Sequence, residues 1–237
     1  CRSAGVSFSL QETKARFAIT SGGEIVYPGA YVEAKPDHPA VIMAGSGEVM
    51  TYAQLDEEAN RLSHVFADAG LRPGDHVAMC LENHPRYLAM LWGAHYAGLI
   101  YTAISSRLTT EEMAYIITNS GSKGFITSPH KADQAEELRS QIPDVELRLM
   151  VDSTIDGYDS YEDAIARASV EPLPDRVGGY DMLYSSGTTG RPKGVLQTRG
   201  QIPLQEGGAQ VSALLAGLFG VDGDSVYLSP APMYHAA

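Results

Sequence analysis

The sequence predicts an α/β fold in which a mostly parallel sheet is flanked by helices. Short apolar strand patterns alternate with helical patterns from residue 41 onward. The clearest unit joins strand 77–81, helix 85–97 and strand 99–104, all strongly apolar. Such a strand, helix, strand succession indicates a parallel sheet that is covered on both faces. The longest apolar run, 88–104, is shorter than the ~20 residues of a spanning helix, so we expect no transmembrane segment.

A hairpin and a helix precede this unit. Strands over 41–43 and 49–52 flank a Gly-Ser-Gly-Glu turn, which is typical of a hairpin. Thr51 and Gln54 have the spacing of a capping box, and apolar residues then recur at helical intervals until Gly70. The sequence therefore predicts a helix that begins just after Thr51.

The alternation continues after residue 104. Thr109 and Glu112 form a second capping box, which predicts a helix that ends near Asn119. Further patterns predict strand 125–127, helix 131–141 and strand 147–151, and later strand 180–184, strand 195–197, helix 203–218 and strand 225–229.

Proline and charge interrupt this rhythm at 171–175, which suggests a linker. We therefore predict four parts of the chain: an N-terminal arm (1–20), a first α/β subdomain (21–170), a linker (171–179) and the start of a second subdomain (180–237).

Composition limits the classes of partner. The 17 basic and 29 acidic residues leave a formal charge of -12, which argues against a nucleic-acid or anionic-membrane surface. Cys1 and Cys80 have no C-x-x-C spacing, and six histidines lack the spacing of a metal site, so neither a disulfide framework nor a zinc cluster is indicated. We expect a cytoplasmic protein.

Residues 184–195 contain the most informative side chains. Glycines allow backbone N–H groups to approach a phosphate closely, hydroxyls donate to phosphate oxygens or bind Mg²⁺, and lysine adds compact positive charge. The stretch predicts a loop that holds a nucleoside triphosphate through Ser185, Ser186, Gly187, Thr188, Thr189, Gly190 and Lys193.

Three other interpretations of this stretch are weaker. A Walker loop would need glycine at Pro192 and a hydroxyl at Gly194. A serine hydrolase would need a G-x-S-x-G elbow, which the sequence lacks. A plain solvated turn between two strands would not require a lysine, a proline and four hydroxyls in this order.

The stretch resembles the signature loop of the adenylate-forming superfamily, which includes acyl-CoA synthetases, luciferases and peptide-synthetase adenylation domains. Every position matches the pattern [Ser/Thr]-[Ser/Thr]-Gly-[Ser/Thr]-[Ser/Thr]-Gly-x-Pro-Lys-Gly. Thr-Tyr-Ala-Gln-Leu at 51–55, the helix-Gly-strand stretch at 91–104 and Pro-Met-Tyr-His at 232–235 resemble further elements of the family in the expected order. The likeness covers about residues 25–237, and it implies that 180–237 is the incomplete start of an ATP-binding subdomain with the phosphate loop.

The resemblance implies an ATP-dependent acyl-CoA ligase that activates a carboxylic acid, most simply a fatty acid, as acyl-AMP and transfers it to coenzyme A. It implies that Ser185 contacts Mg²⁺ and that the remaining loop residues hold the β- and γ-phosphates of ATP. It also implies that Tyr234 and His235 lie beside the acyl carboxylate, with positioning and gating roles. From the residues alone, a lone histidine such as His235 is more often structural.

The sequence also departs from the family. The later Tyr-Gly-x-Thr-Glu segment, the ribose-binding aspartate, the hinge and the catalytic lysine have no counterpart before Ala237. We therefore expect an N-terminal fragment of the large domain, with no catalytic residue of its own, that is inactive alone. Two alternatives remain open: an adenylation domain that loads a carrier protein, and a non-catalytic nucleotide-binding fragment. The acyl chain length is not predicted, and a homodimer is left open.

Overall fold

A computed structural model describes residues 27–174, 176–185, 191–196, 202–204, 217–222 and 224–235. Its first half contains α1 (Pro28–Val32), β1 (Pro39–Ile42), β2 (Val49–Thr51), α2 (Tyr52–Asp68), β3 (His76–Cys80), α3 (Tyr87–Tyr96), β4 (Ile100–Ala103), α4 (Thr110–Ser120) and β5 (Ser122–Thr127). A 3₁₀ turn (Pro129–Lys131) then leads to α5 (Ala132–Leu138), β6 (Leu147–Met150), β7 (Asp159–Ser160), α6 (Tyr161–Arg167), β8 (Val177–Gly178), β9 (Tyr180–Ser185), β10 (Lys193–Leu196) and β11 (Ile202–Pro203).

Seven strands form one sheet in the order β10-β9-β4-β3-β5-β6-β7. Every pair from β9 to β7 is parallel, and β10 alone runs antiparallel at the edge. Two small antiparallel pairs, β1 with β2 and β11 with β8, accompany it. The predicted fold class, a mostly parallel sheet flanked by helices, is confirmed.

Burial on both faces explains why the strands are apolar throughout. Along β3, Val77 and Met79 belong to the core beneath α2, α3 and α6, whereas Ala78 and Cys80 belong to the core beneath α4 and α5. Successive side chains of a strand point to opposite faces, so a strand covered on both sides has no polar face. Burial raises the pKa of the Cys80 thiol to about 12.

Both predicted capping boxes are present. The Thr51 hydroxyl accepts from the N–H of Gln54 while the Gln54 side chain accepts from the N–H of Thr51, and Thr109 with Glu112 repeats this arrangement. Gly121, with φ of 70°, ends α4 in the left-handed conformation that suits glycine. Residue types at the ends of these helices therefore set the helix boundaries.

Several features depart from the sequence prediction. Residues 225–229 are not a strand: Val226, Tyr227 and Leu228 are strongly exposed and pair with no described strand. The helix predicted over 203–218 is wrong at its start, because Ile202–Pro203 is a strand; residues 217–219 are helical, and 205–216 lie outside the described residues. The pair β7 and α6 was not predicted, although the Ser160 hydroxyl caps α6 by accepting from the N–H of Asp163.

The sheet crosses the predicted boundary between subdomains. The linker 171–179 contains β8, and β9 pairs with β4. Gly179 allows β9 to lie beside β4, since a Cβ at residue 179 would overlap the carbonyl oxygen of Leu99. The four-part division stays a prediction, and the arm 1–20 lies outside the described residues. No helix in the described part of the chain is both long and apolar enough to cross a bilayer.

Candidate nucleotide and acid site

The two described ends of the signature stretch lie side by side at the edge of the sheet. Strand β9 ends at Ser185 and β10 begins at Lys193, and these two residues are paired in the antiparallel register. Both side chains are exposed. The carboxyl ends of parallel strands are where open α/β sheets bind ligands, and Ser185 lies at such an end. Ser186, Gly187, Thr188, Thr189 and Gly190 lie outside the described residues, so their phosphate contacts stay predictions.

Glycine at position 194 is required by close packing within the β9–β10 pair. It lies inside β10, opposite Tyr184, and is not among the described glycines with positive φ. A Cβ on Gly194 would stand 2.9 Å from Cζ of Tyr184 and closer still to the Met182 methyl. The missing side chain therefore leaves room for the Tyr184 ring beside Gly194.

Tyr184 and Arg191 stand on the two sides of residues 186–190, which lie outside the described part of the chain. The Tyr184 hydroxyl donates to Oδ1 of Asn119 at 2.7 Å, and burial, followed by the nearby Tyr115, raises its pKa to about 12. The Arg191 guanidinium carbon lies 5.2 Å from the centre of the Tyr115 ring. Helix α4 therefore contacts the chain both before and after residues 186–190.

The Pro-Met-Tyr-His element lies against the loop that follows β3. The N–H of Met233 donates to Oδ1 of Asn83 at 2.8 Å. Met233 and Tyr234 pack against the core cluster that contains Leu81 and Tyr87, while His235 is exposed. The N–H of His235 donates to the carbonyl of Pro232 at 2.9 Å, which closes the element into a turn. Tyr234 and His235 are thus held at the carboxyl end of β3.

That loop is anchored to two other strand ends. His84 Nδ1 accepts from the N–H of Arg86 at 3.2 Å, so Nε2 carries the hydrogen that is donated to Asp152, 2.8 Å away after β6. Ser128, which follows β5, donates to the Glu82 carboxylate. Asp152 has φ of 61°, a strained value for a non-glycine residue. His84 therefore holds the loop in place.

The sheet brings the predicted site residues to one edge. β9 and β3 are separated by β4 alone, so these two strands lie about 10 Å apart, and Ser185 and Asn83 follow their carboxyl ends. Sequence reasoning missed Asn83, Tyr115 and Asn119. A signal existed for Asn83, because it lies in a polar Glu-Asn-His run directly after predicted strand 77–81, where ligand-facing residues collect.

The described residues contain no group of three His, Cys, Asp or Glu side chains that could hold a metal ion. Ser185 does offer one exposed hydroxyl oxygen. Mg²⁺ is commonly held by one or two protein oxygens together with phosphates and water. Ser185 thus fits an ion that arrives with a nucleotide.

This fold is that of the N-terminal domain of adenylate-forming enzymes. The family described as AMP-binding enzyme matches residues 30–237, and the chain belongs to that family.

Three known proteins illustrate the likeness. A feruloyl-CoA synthase of an Amycolatopsis species is 32% identical over 208 residues, which are 84% of this chain and 37% of that enzyme. A long-chain-fatty-acid–CoA ligase of Mycobacterium tuberculosis is 31% identical over 191 residues, covering 79% of this chain and 36% of the ligase. The crystal structure of an anthranilate CoA ligase with anthranoyl-AMP has a TM-score of 0.69 at 22% identity, covering 82% of this chain and 36% of that one. The last likeness shows the fold alone, and the chain spans about a third of the length of the curated relatives it matches.

Proposed function

We propose that the complete protein is an ATP-dependent acid–thiol ligase that acts on a carboxylic acid, with a fatty acid as the favoured class. The observation that carries the proposal is the pairing of Ser185 with Lys193 across the hairpin whose connecting residues complete the signature. Membership in the AMP-binding family and two CoA ligases among its relatives support it.

The reaction has two steps. The substrate carboxylate attacks the α-phosphorus of ATP, forming the acyl-AMP bond as the bond to pyrophosphate breaks. The sulfur of coenzyme A then attacks the acyl carbon, the thioester forms, AMP leaves and the thiol proton passes to solvent.

The roles of this chain's residues follow from charge and position. Lys193 places a positive charge at the start of β10, where it stabilises the negative charge that accumulates on departing pyrophosphate. The Ser185 hydroxyl contributes an oxygen to Mg²⁺, which offsets phosphate charge when bound. Ser186, Gly187, Thr188, Thr189 and Gly190 donate to the β- and γ-phosphates.

Tyr234 and His235 orient the acid. Tyr234 is half-buried against the core while His235 is exposed beside it, so the pair can guide a carboxylate toward the nucleotide. No proton transfer is assigned to His235. In this proposal, the 237-residue chain by itself completes neither step. The complete protein acts in the cytoplasm.

A product assay tests the proposal. The full-length protein that contains this chain is incubated with ATP, Mg²⁺ and a panel of fatty and aromatic acids, with no thiol, with coenzyme A or with a thiol-bearing carrier protein. AMP and pyrophosphate, with a thioester that requires coenzyme A, are expected. ADP as product, or no turnover with any acid, overturns the ligase, and an acyl-AMP that reacts only with a carrier-protein thiol supports the carrier-loading alternative instead.

A further inference from the structure

The strand that leads into the signature loop is tied to helix α4. Tyr184 directly precedes Ser185, and its hydroxyl donates to Oδ1 of Asn119 at 2.7 Å. A tyrosine hydroxyl is protonated at neutral pH, and burial raises the pKa of Tyr184 further, to about 12, so this hydroxyl can donate. The direction of the β9 end is therefore set by a side chain of α4.

The strand that leaves the loop is tied to the same helix. The Arg191 guanidinium lies over the Tyr115 ring, with 5.2 Å between the guanidinium carbon and the ring centre. This distance is within the range of a cation–π contact. Arg191 stands two residues before Lys193, so the contact also limits where the Lys193 backbone can lie.

The two anchors share one face of a firmly held helix. Tyr115 and Asn119 are four residues apart, which places them one turn apart on the same side of α4. The opposite side is fixed in the core through Met113, Ile116 and Ile117, and the capping box of Thr109 fixes its start. The helix can thus act as a rigid support for both sides of the loop.

We propose that Tyr115 and Asn119 are positioning residues that hold the two flanks of the phosphate loop in the register needed to bind ATP. The inference rests on the proposed function, because it assigns to α4 the support of that same loop. It predicts that loss of these contacts weakens the use of ATP while leaving the use of the acid unchanged. A contact that served only to stabilise the edge hairpin would lower thermal stability and would not discriminate between the two substrates.

Variants of Asn119 give the sharpest test, since its side chain is exposed and its removal leaves no cavity. In the full-length protein, Asn119→Leu removes the acceptor, Asn119→Asp keeps one, and Thr118→Ala alters the neighbouring exposed residue as a control. We expect Asn119→Leu to raise the KM for ATP about fivefold, the equivalent of one hydrogen bond, with the KM for the acid unchanged. Asn119→Asp and Thr118→Ala should stay close to wild type.

Tyr115 is tested in the same way with Tyr115→Phe, which keeps the ring, and Tyr115→Leu, which removes it. Only the leucine variant should raise the KM for ATP. Equal changes in both KM values, or failure of Asn119→Asp to restore ATP use, overturn the proposal.

Direct binding separates this inference from the proposed function. The Kd for ATP is measured without acid for wild type, Asn119→Leu and Asn119→Asp. If wild type binds ATP but forms no AMP, the ligase proposal fails, while a Kd raised in Asn119→Leu and restored in Asn119→Asp still supports the positioning role. If wild type binds no ATP, the positioning role fails as well.

Discussion

Asn83 accepts a hydrogen bond from the backbone N–H of Met233 at 2.8 Å, across 150 residues of chain. The contact joins the loop after β3 to the turn that presents Tyr234 and His235. His84 and Glu82, on either side of Asn83, bind residues that follow β6 and β5. Asn83 therefore links the Tyr234–His235 turn to the centre of the sheet, in addition to the packing of Met233 and Tyr234 against the core.

Replacement of Asn83 should impair use of the acid. Asn83→Leu removes the acceptor for the Met233 N–H, so the turn with His235 loses its anchor, and we expect the KM for the acid to rise roughly fivefold in the full-length protein. Asn83→Asp keeps an acceptor oxygen and should remain near wild type. An unchanged acid KM in Asn83→Leu, measured by pyrophosphate release, would argue against this role.

Lys193→Ala should reduce pyrophosphate formation far more than it reduces stability. The side chain is exposed, so few packing contacts are lost, whereas removal of a charge that stabilises the departing group costs on the order of 100-fold in rate. The measurement pairs adenylation rate with melting temperature. Lys123→Ala, on β5 and away from the loop, is the control for adenylation rate; its melting temperature is not compared, because the substitution also breaks the 2.7 Å ion pair with Asp75. An unchanged adenylation rate with a lowered melting temperature would contradict the role of Lys193 in phosphate binding.

Gly194→Ala should destabilise the hairpin. The new methyl would meet the Tyr184 ring, whose hydroxyl is held by Asn119, so the ring cannot move away freely. Overpacking of this kind costs about 1–3 kcal/mol of unfolding free energy. Gly217→Ala is the control, because no atom lies within 4 Å of its added carbon. Equal urea midpoints for the two variants would contradict the packing argument.

His76 should make the protein less stable in mild acid. Burial lowers the pKa of His76 below its ordinary value of 6.5, although Asp75 opposes the shift, and Nδ1 has no hydrogen-bond partner among the described residues. Between the lowered pKa and 6.5 the unfolded chain binds a proton that the folded chain does not, so stability falls as pH falls through this window. Urea unfolding from pH 7 to pH 5 should show a shallower loss in His76→Gln than in wild type. A parallel loss in both would exclude His76 as a contributor.

Local patterns predicted most of the sheet and several helix ends correctly. Both capping boxes, the β1–β2 hairpin and the strands from β3 to β6 follow from side-chain spacing, because helix caps and turns are satisfied by residues a few positions apart. Residues 225–229 show the limit of this reasoning. Their Ser-Val-Tyr-Leu-Ser pattern suits a strand, but a strand also needs a neighbour, and no described strand pairs with them.

The candidate site also contains residues that the sequence could reveal and contacts that it could not. The signature over 184–195 could be recognised from its residues, as could the aromatic-His pair at 234–235. The contacts of Asn83 with Met233, and of Asn119 with Tyr184, could not, since each joins polar residues that are ordinary in their own surroundings.

The sequence by itself determined that the chain is an α/β protein with a phosphate-loop signature, where several of its helices begin and which segments are buried. Only the tertiary structure decided that β9 returns to pair with β4, that α4 touches both sides of the loop, and that the Asn83 loop receives the turn at 232–235. The physical reason is range: helix caps and turns are fixed by neighbours along the chain, whereas strand order and side-chain contacts across the sheet depend on how distant segments bury one another.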